Sequence, residues 1–203
     1  MRPRMTPEMK KLFLLMGPGV LAAGIQQVNL LVGGIIASFQ EGAISFIYVA
    51  DRVYQLPLGM IGIALGVVLL PEVTRRLRSG QEKEAGDSIL RGLEFGMLLT
   101  IPAAGAMLVM PVEIISALFE RGKFDAEDSE RTGWALAGFA LGLPGYVLIK
   151  VFQPAYFARE DTMSPMIMAG VAVAVNIAFS VVLFRLMRST GYGHVGIAIA
   201  TAI

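Results

Sequence analysis

The sequence contains no cysteine. That excludes a disulfide framework, a thiolate nucleophile and a zinc–thiolate centre. Its one histidine, His194, cannot build a histidine metal cluster. Charge is scarce too: 16% of the 203 residues are Asp, Glu, Lys or Arg, against about 25% in an ordinary soluble domain. Walker A, HExxH and GxSxG patterns are missing, and no pair of carboxylates stands in mid-run beside a base, so nothing points to covalent catalysis and we expect no enzyme. With 17 basic and 16 acidic residues the net charge is +1. No bulk basic field directs the chain to nucleic acid.

What the sequence has instead is apolar length. Hydrophobic residues make up 55% of the chain and the mean hydropathy is +0.66. The 23 glycines and 10 prolines would break soluble helices. In membrane bundles both are common, because small residues let helices approach and neighbouring groups take up the carbonyls that proline frees.

Five long apolar runs and part of a sixth follow one another, each long enough to cross a bilayer except the last. The first covers residues 12–39, behind a basic N-terminus (Arg2, Arg4, Lys10, Lys11), and is far too long for a signal-peptide core. A turn around Gln40 and Gly42 leads to the second, 43–70, closed by Pro71. Residues 72–88 are polar, with room for a short surface helix, and the third run covers 89–119. Asp125 followed by Asp128 predicts an N-cap with an acidic first turn, so the fourth run begins near Ala126 and reaches 157. The fifth covers 166–187, and the sixth starts at Val195. Its nine residues rise only about 14 Å, under half a bilayer core. We therefore expect an all-α, polytopic transmembrane bundle of five full spans plus a truncated sixth. Residues 1–203 would be part of the transmembrane domain of a longer protein, without a soluble domain.

Lys and Arg counts set the orientation. With the N-terminus inside, ten basic residues fall in inside segments and five (Arg121, Lys123, Arg131, Arg185, Arg188) outside. This favours a cytoplasmic N-terminus and a cytoplasmic 72–88 segment.

Polar residues inside the runs are the candidates for function. Arg52 lies nine residues into the second run, about 13 Å from its start. A charge so deep costs at least ~2.5–3.5 kcal/mol on insertion scales. It needs a water-filled cavity or a partner, and a guanidinium forks well onto phosphate. Its neighbour Asp51 points about 100° away and cannot pair with it side by side. Lys150 and Gln153 are three apart in the fourth run and share a face. They are candidates to line a cavity, though a lysine stem can also snorkel to the membrane surface. Gln26, Gln27, Asn29 and Asn176 are polar interruptions that can equally hydrogen-bond neighbouring helices.

The second run, Tyr48-Val49-Ala50-Asp51-Arg52-Val53-Tyr54-Gln55-Leu56-Pro57 with Gly59, Gly62, Gly66 and Pro71, resembles the MurJ/MviN family of lipid II flippases. So do Phe119-Glu120-Arg121-Gly122-Lys123-Phe124 before Asp125, the stretch from Lys150 through Gln153, Pro154 and Asp161 to Pro165, and Asn176 with the ending from Gly196 to Thr201. The resemblance covers nearly the whole chain in order. It implies a two-lobe transporter of the MOP exporter superfamily, of which this chain would be the start of the second lobe. The first lobe, with the family's other cavity arginines, would be a missing partner.

It further implies translocation of lipid II, the undecaprenyl-diphosphate-linked peptidoglycan precursor, across the bacterial cytoplasmic membrane, among membrane lipids, by alternating access. Arg52 falls on the family's cavity arginine, with Asp51, Lys150 and Gln153 as further cavity candidates. Some members hold sodium. Here Asn176 and Thr201 match as ligands, but the elements concerned carry no carboxylate, so no cofactor is expected beyond possible coupling to a monovalent cation or the membrane potential. The rival readings are another MOP exporter, of a drug or a different lipid-linked glycan, and a membrane fragment that does not transport.

Overall fold

The computed structural model describes the backbone from residue 7 to residue 203, and side chains from residue 16 onward except those of Pro18, Ala22, Ala23 and Gln26. Arg2 and Arg4, and the side chains of Lys10, Lys11 and Gln26, therefore lie outside what is described. Eight helices make up the described chain: α1 (Pro7–Ala37), α2 (Ala43–Arg78), α3 (Glu82–Val109), α4 (Pro111–Phe119), α5 (Ala126–Ala140), α6 (Leu143–Ala158), α7 (Met163–Arg188) and α8 (Gly193–Ala202).

Among the described residues, α2, α3 and α7 are long and apolar enough to cross a membrane, and α5 with α6, bent by 43°, is together long and apolar enough for a broken span or a re-entrant loop. The bundle is all-α and multi-pass, as expected, but the described residues give three such helices, or four with the bent pair, where the sequence reading has five full spans. The third and fourth runs break, and the first is described with side chains only over its later part. The helix limits differ from the sequence reading at three places, each for a local reason.

Pro71 does not close the second helix, which runs on to Arg78. The Thr74 hydroxyl donates to the Leu70 carbonyl at 2.6 Å. Glu72 pairs with Arg75, and with Arg76 at 2.6 Å. Such i,i+3 and i,i+4 pairs carry a helix past its apolar part. The polar segment is thus no separate surface helix. It is the end of α2 and the start of α3, reversed at Gly80 with φ +75°, a value glycine takes without steric cost. The third run breaks at Met110, because a residue before proline avoids the helical region.

The fourth run breaks at 141–142, where Pro144 opens α6 and can give no N–H to the preceding turn. Gly142 is needed there for a second reason: a Cβ on it would lie 2.6 Å from Ala202 Cα. The Asp125 cap is found as expected, with the Asp128 N–H donating to Asp125 Oδ1 at 3.0 Å in a reciprocal capping box.

α2 organises the core. Its buried residues Ala43, Phe46, Ala50, Val53, Tyr54, Ile61, Leu65, Leu69 and Val73 recur at three- and four-residue steps, the period of one helix face. That stripe supplies all three apolar clusters. One joins it to α3, α4, α5 and α8 around Ile115, Leu136 and Phe139. Another joins it to α1, α7 and α8, and the third to α6 through Val147 and Val151.

The single histidine is buried at one end of the bundle. The Gln40 side-chain amide donates to the Gly191 carbonyl at 2.6 Å and to His194 Nδ1 at 2.9 Å. Its oxygen accepts the His194 N–H at 3.1 Å. With Nδ1 accepting, Nε2 carries the proton and donates to the Arg131 carbonyl at 2.9 Å. Three segments distant in sequence, α1–α2, α5 and α7–α8, are tied by these two side chains.

Two expectations follow. Gln40→Ala leaves His194 Nδ1 and a backbone N–H buried without partners, which costs about 1–3 kcal/mol; thermal unfolding in detergent, followed by size-exclusion fluorescence, would show the lowered midpoint. Gly196→Val drives a side chain against the Leu183 backbone, 2.8 Å from where the Cβ would stand, and costs about 1–3 kcal/mol as overpacking. Gly66→Ala, where nothing lies within 4 Å, does not lower the midpoint, since alanine is the better helix former.

Candidate functional site

The buried stripe of α2 decides where its polar residues go. Successive residues turn by about 100°. With Ala50, Val53 and Tyr54 inward, Asp51 falls on the flank of the stripe, while Tyr48, Arg52 and Gln55 fall on the side away from it. Tyr48, Arg52 and Gln55 are exposed and Asp51 is half-buried, as this geometry requires. The two adjacent charges take different partners. Gln55 donates to the Asp51 carboxylate one turn on. Arg52 donates to the Tyr48 hydroxyl at 2.5 Å one turn back, with its guanidinium carbon 4.8 Å from the centre of the Tyr48 ring.

A groove of about 680 Å³ runs along this flank of α2, walled by α1, α6, α7 and α8. Its surface is mainly apolar. Its polar side chains are Asn29, Tyr48, Asp51, Tyr54, Gln55, Tyr146, Lys150, Asn176 and Thr201. The Asn29 amide oxygen and the Tyr54 hydroxyl are buried there without a hydrogen-bond partner among the described residues. Tyr54 and Tyr146 stack edge to face with centroids 6.0 Å apart, joining α2 to α6. Lys150 reaches the groove across Gly62: a Cβ at that glycine would touch the lysine stem at 3.6 Å.

The sequence-predicted residues divide accordingly. Asp51, Lys150, Asn176 and Thr201 come together on one groove, from four different helices. Arg52 does not line it but stands at its rim, bonded to the lining Tyr48. Gln153 is not among the lining residues: from Lys150 to Gln153 the helix turns about 300°, and the lining ends between them.

The sequence reading found no carboxylate in the elements of the cation candidates. The fold brings one to their groove from α2, Asp51. The Thr201 hydroxyl donates to the Ile197 carbonyl at 2.9 Å and keeps its lone pairs. Asn29, Asp51, Asn176 and Thr201 are all oxygen donors, the ligand type hard cations take. Tyr48, Gln55, Tyr54 and Tyr146 were missed as site residues. The spacings Tyr48 to Arg52 and Asp51 to Gln55, each i,i+4, were the available signal.

A family model for the lipid II flippase MurJ matches residues 1–203. The chain is 50% identical over 190 residues to a probable lipid II flippase MurJ of Rhizobium meliloti (strain 1021), a match covering 94% of this chain and 36% of that protein. It is 49% identical over 201 residues to the probable lipid II flippase MurJ of Rhizobium tropici, covering 99% of this chain and 37% of the relative. The chain thus spans little more than a third of these relatives' length. A solved lipid II flippase MurJ in an inward closed conformation superposes with a TM-score of 0.80 at 27% identity, over 97% of this chain and 40% of that one. A MOP superfamily transporter from Pyrococcus furiosus shares the fold, with a TM-score of 0.79 at 18% identity, over 98% of this chain and 42% of the other. With a family match over its whole length, close relatives of one description and a shared bundle, the chain belongs to the lipid II flippase MurJ family.

Proposed function

We propose that this chain is the opening part of the second lobe of a lipid II flippase in the bacterial cytoplasmic membrane. There it carries the diphosphate-linked peptidoglycan precursor across by alternating access. The observation that supports this most is Arg52. It stands on a spanning helix, on the face turned away from this bundle's core, and its hydrogen bond among the described residues goes to a neutral phenol. A guanidinium that deep needs a polar surrounding, and a cavity between this bundle and a second lobe supplies it.

In this reading Tyr48 holds the guanidinium extended, leaving donors free for the two phosphates of the substrate. Asp51, tethered by Gln55 on the flank, keeps its charge away from the phosphate path. Lys150 adds a second cation along the groove. The lobes then rock about the bound headgroup, exposing it first on one side and then on the other. No covalent bond is made or broken. Asn176 and Thr201, with the Asp51 carboxylate on the same groove, are the residues that would hold a coupling monovalent cation. Its charge would bias one lobe orientation over the other.

In the complete flippase that contains these helices, Arg52→Ala abolishes complementation of a flippase-depleted strain while membrane abundance stays near normal. Arg52→Lys restores part of it, since an ammonium keeps the charge but loses the two-pronged fit to phosphate. Loss of abundance and activity together would instead mark a structural arginine. A well-expressed alanine variant that complements fully would end the cavity role.

The proposed orientation is tested in the same background, which this segment's lack of cysteine simplifies. A cysteine at Ser79, in the α2–α3 turn, should be silent to an impermeant thiol reagent in intact cells, and one at Lys123, before α5, should react. The opposite pattern would invert the bundle.

A further inference from the structure

A second cleft lies away from the groove, between the ends of α1 and α7. It measures about 280 Å³ and is lined by Ile36, Phe39, Val181, Phe184, Arg185 and Arg188. The residues of α7 are spaced 181, 184, 185 and 188, one helix face; Ile36 is in the last turn of α1 and Phe39 in the turn that follows it. Phe184 is buried as the floor, whereas Phe39 is 62% exposed on the wall. Arg185 and Arg188 form the rim in the last turn of α7. Both are exposed, and neither guanidinium has a hydrogen bond or ion pair among the described residues.

We propose that this cleft binds an anionic phospholipid of the surrounding bilayer. An acyl chain would enter between Phe39 and Val181, and the headgroup phosphate would be held by Arg185 and Arg188.

Three features of the cleft fit that occupant. α7 is a membrane-spanning helix, so its last turn meets the headgroup layer, the depth of a lipid phosphate. Two guanidiniums one turn apart offer paired donors of the fork geometry that phosphate oxygens accept. The slot beneath them is almost wholly apolar, which suits a hydrocarbon chain and not a soluble anion. A basic residue at a helix C-terminus also offsets the helix dipole, but that role needs no apolar slot under it. The inference does not depend on the transport reading, because the cleft shares no lining residue with the groove and does not include Arg52.

The full chain, purified in detergent, is titrated with dioleoyl phosphatidylglycerol, with dioleoyl phosphatidylcholine and with glycerol 3-phosphate, and bound species are counted by native mass spectrometry. Phosphatidylglycerol should be retained at least fivefold more than phosphatidylcholine, and glycerol 3-phosphate should not be retained. The double variant Arg185→Ala with Arg188→Ala should lose the preference for the anionic lipid, and the matching double lysine variant should keep most of it. Val181→Trp, which fills the slot and leaves both arginines, should lower retention of the anionic lipid severalfold.

Unchanged helicity and elution volume qualify each variant for the comparison. The lysine and tryptophan variants decide the matter if the alanine variant fails to fold. Undiminished retention of phosphatidylglycerol in the alanine or the tryptophan variant would overturn the site. So would glycerol 3-phosphate bound as well as the lipid, which would mark a plain anion site. An equal loss on replacing the exposed Arg121 and Lys123 by alanine would also overturn it, since bulk charge would then explain the binding.

Discussion

A polypeptide in hydrocarbon must satisfy its polar groups within itself, since no water is at hand to replace a missing partner. The arrangement of this bundle follows from that constraint as it acts on α2. The helix carries a continuous apolar stripe from Ala43 to Val73, and all three core clusters are built on it. Once the stripe faces inward, the remaining residues of the helix have no freedom of direction. Asp51 goes to the flank and Arg52 to the back. Each is then served by a side chain one turn along its own helix, Gln55 for the acid and Tyr48 for the base. Pairing within one helix keeps both charges independent of how the bundle packs.

The same constraint governs the breaks. At Met110 and at Leu141–Gly142 the backbone leaves the helical ladder, and both breaks lie where other helices crowd in. Gly133 presses α5 onto Val112 at the start of α4, and Gly142 presses the α5–α6 bend onto Ala202 of α8. Glycine at these points lets backbones approach where a methyl group would collide. At the end of the bundle the Gln40 and His194 pair does by hydrogen bonding what these glycines do by contact, fastening the short α8 to the rest.

Much of this was legible in the residues. Apolar runs of bilayer length gave the fold class, and the Asp125-to-Asp128 spacing located the start of α5, because caps and runs are local. Arg52 stood out for the same reason: the cost of a charge at depth depends only on its place in a run. The helix limits around Pro71, Pro111 and Pro144 were less legible. Proline interrupts one helix and is tolerated in another according to whether nearby side chains and helices take up the freed groups.

By itself, then, the sequence determined that the chain crosses a membrane as helices and which of its charges are out of place there. Only the tertiary structure decided which of those residues meet. Asp51, Lys150, Asn176 and Thr201 reach one groove from α2, α6, α7 and α8, while Gln153, three residues from Lys150, does not. His194, a lone residue in the sequence, proved to be a buried tie between three segments. The physical reason is that a run's hydropathy and a helix's period are set by neighbours along the chain. Which side of each helix faces which other helix is settled only when apolar stripes and glycine contacts from distant segments pack together.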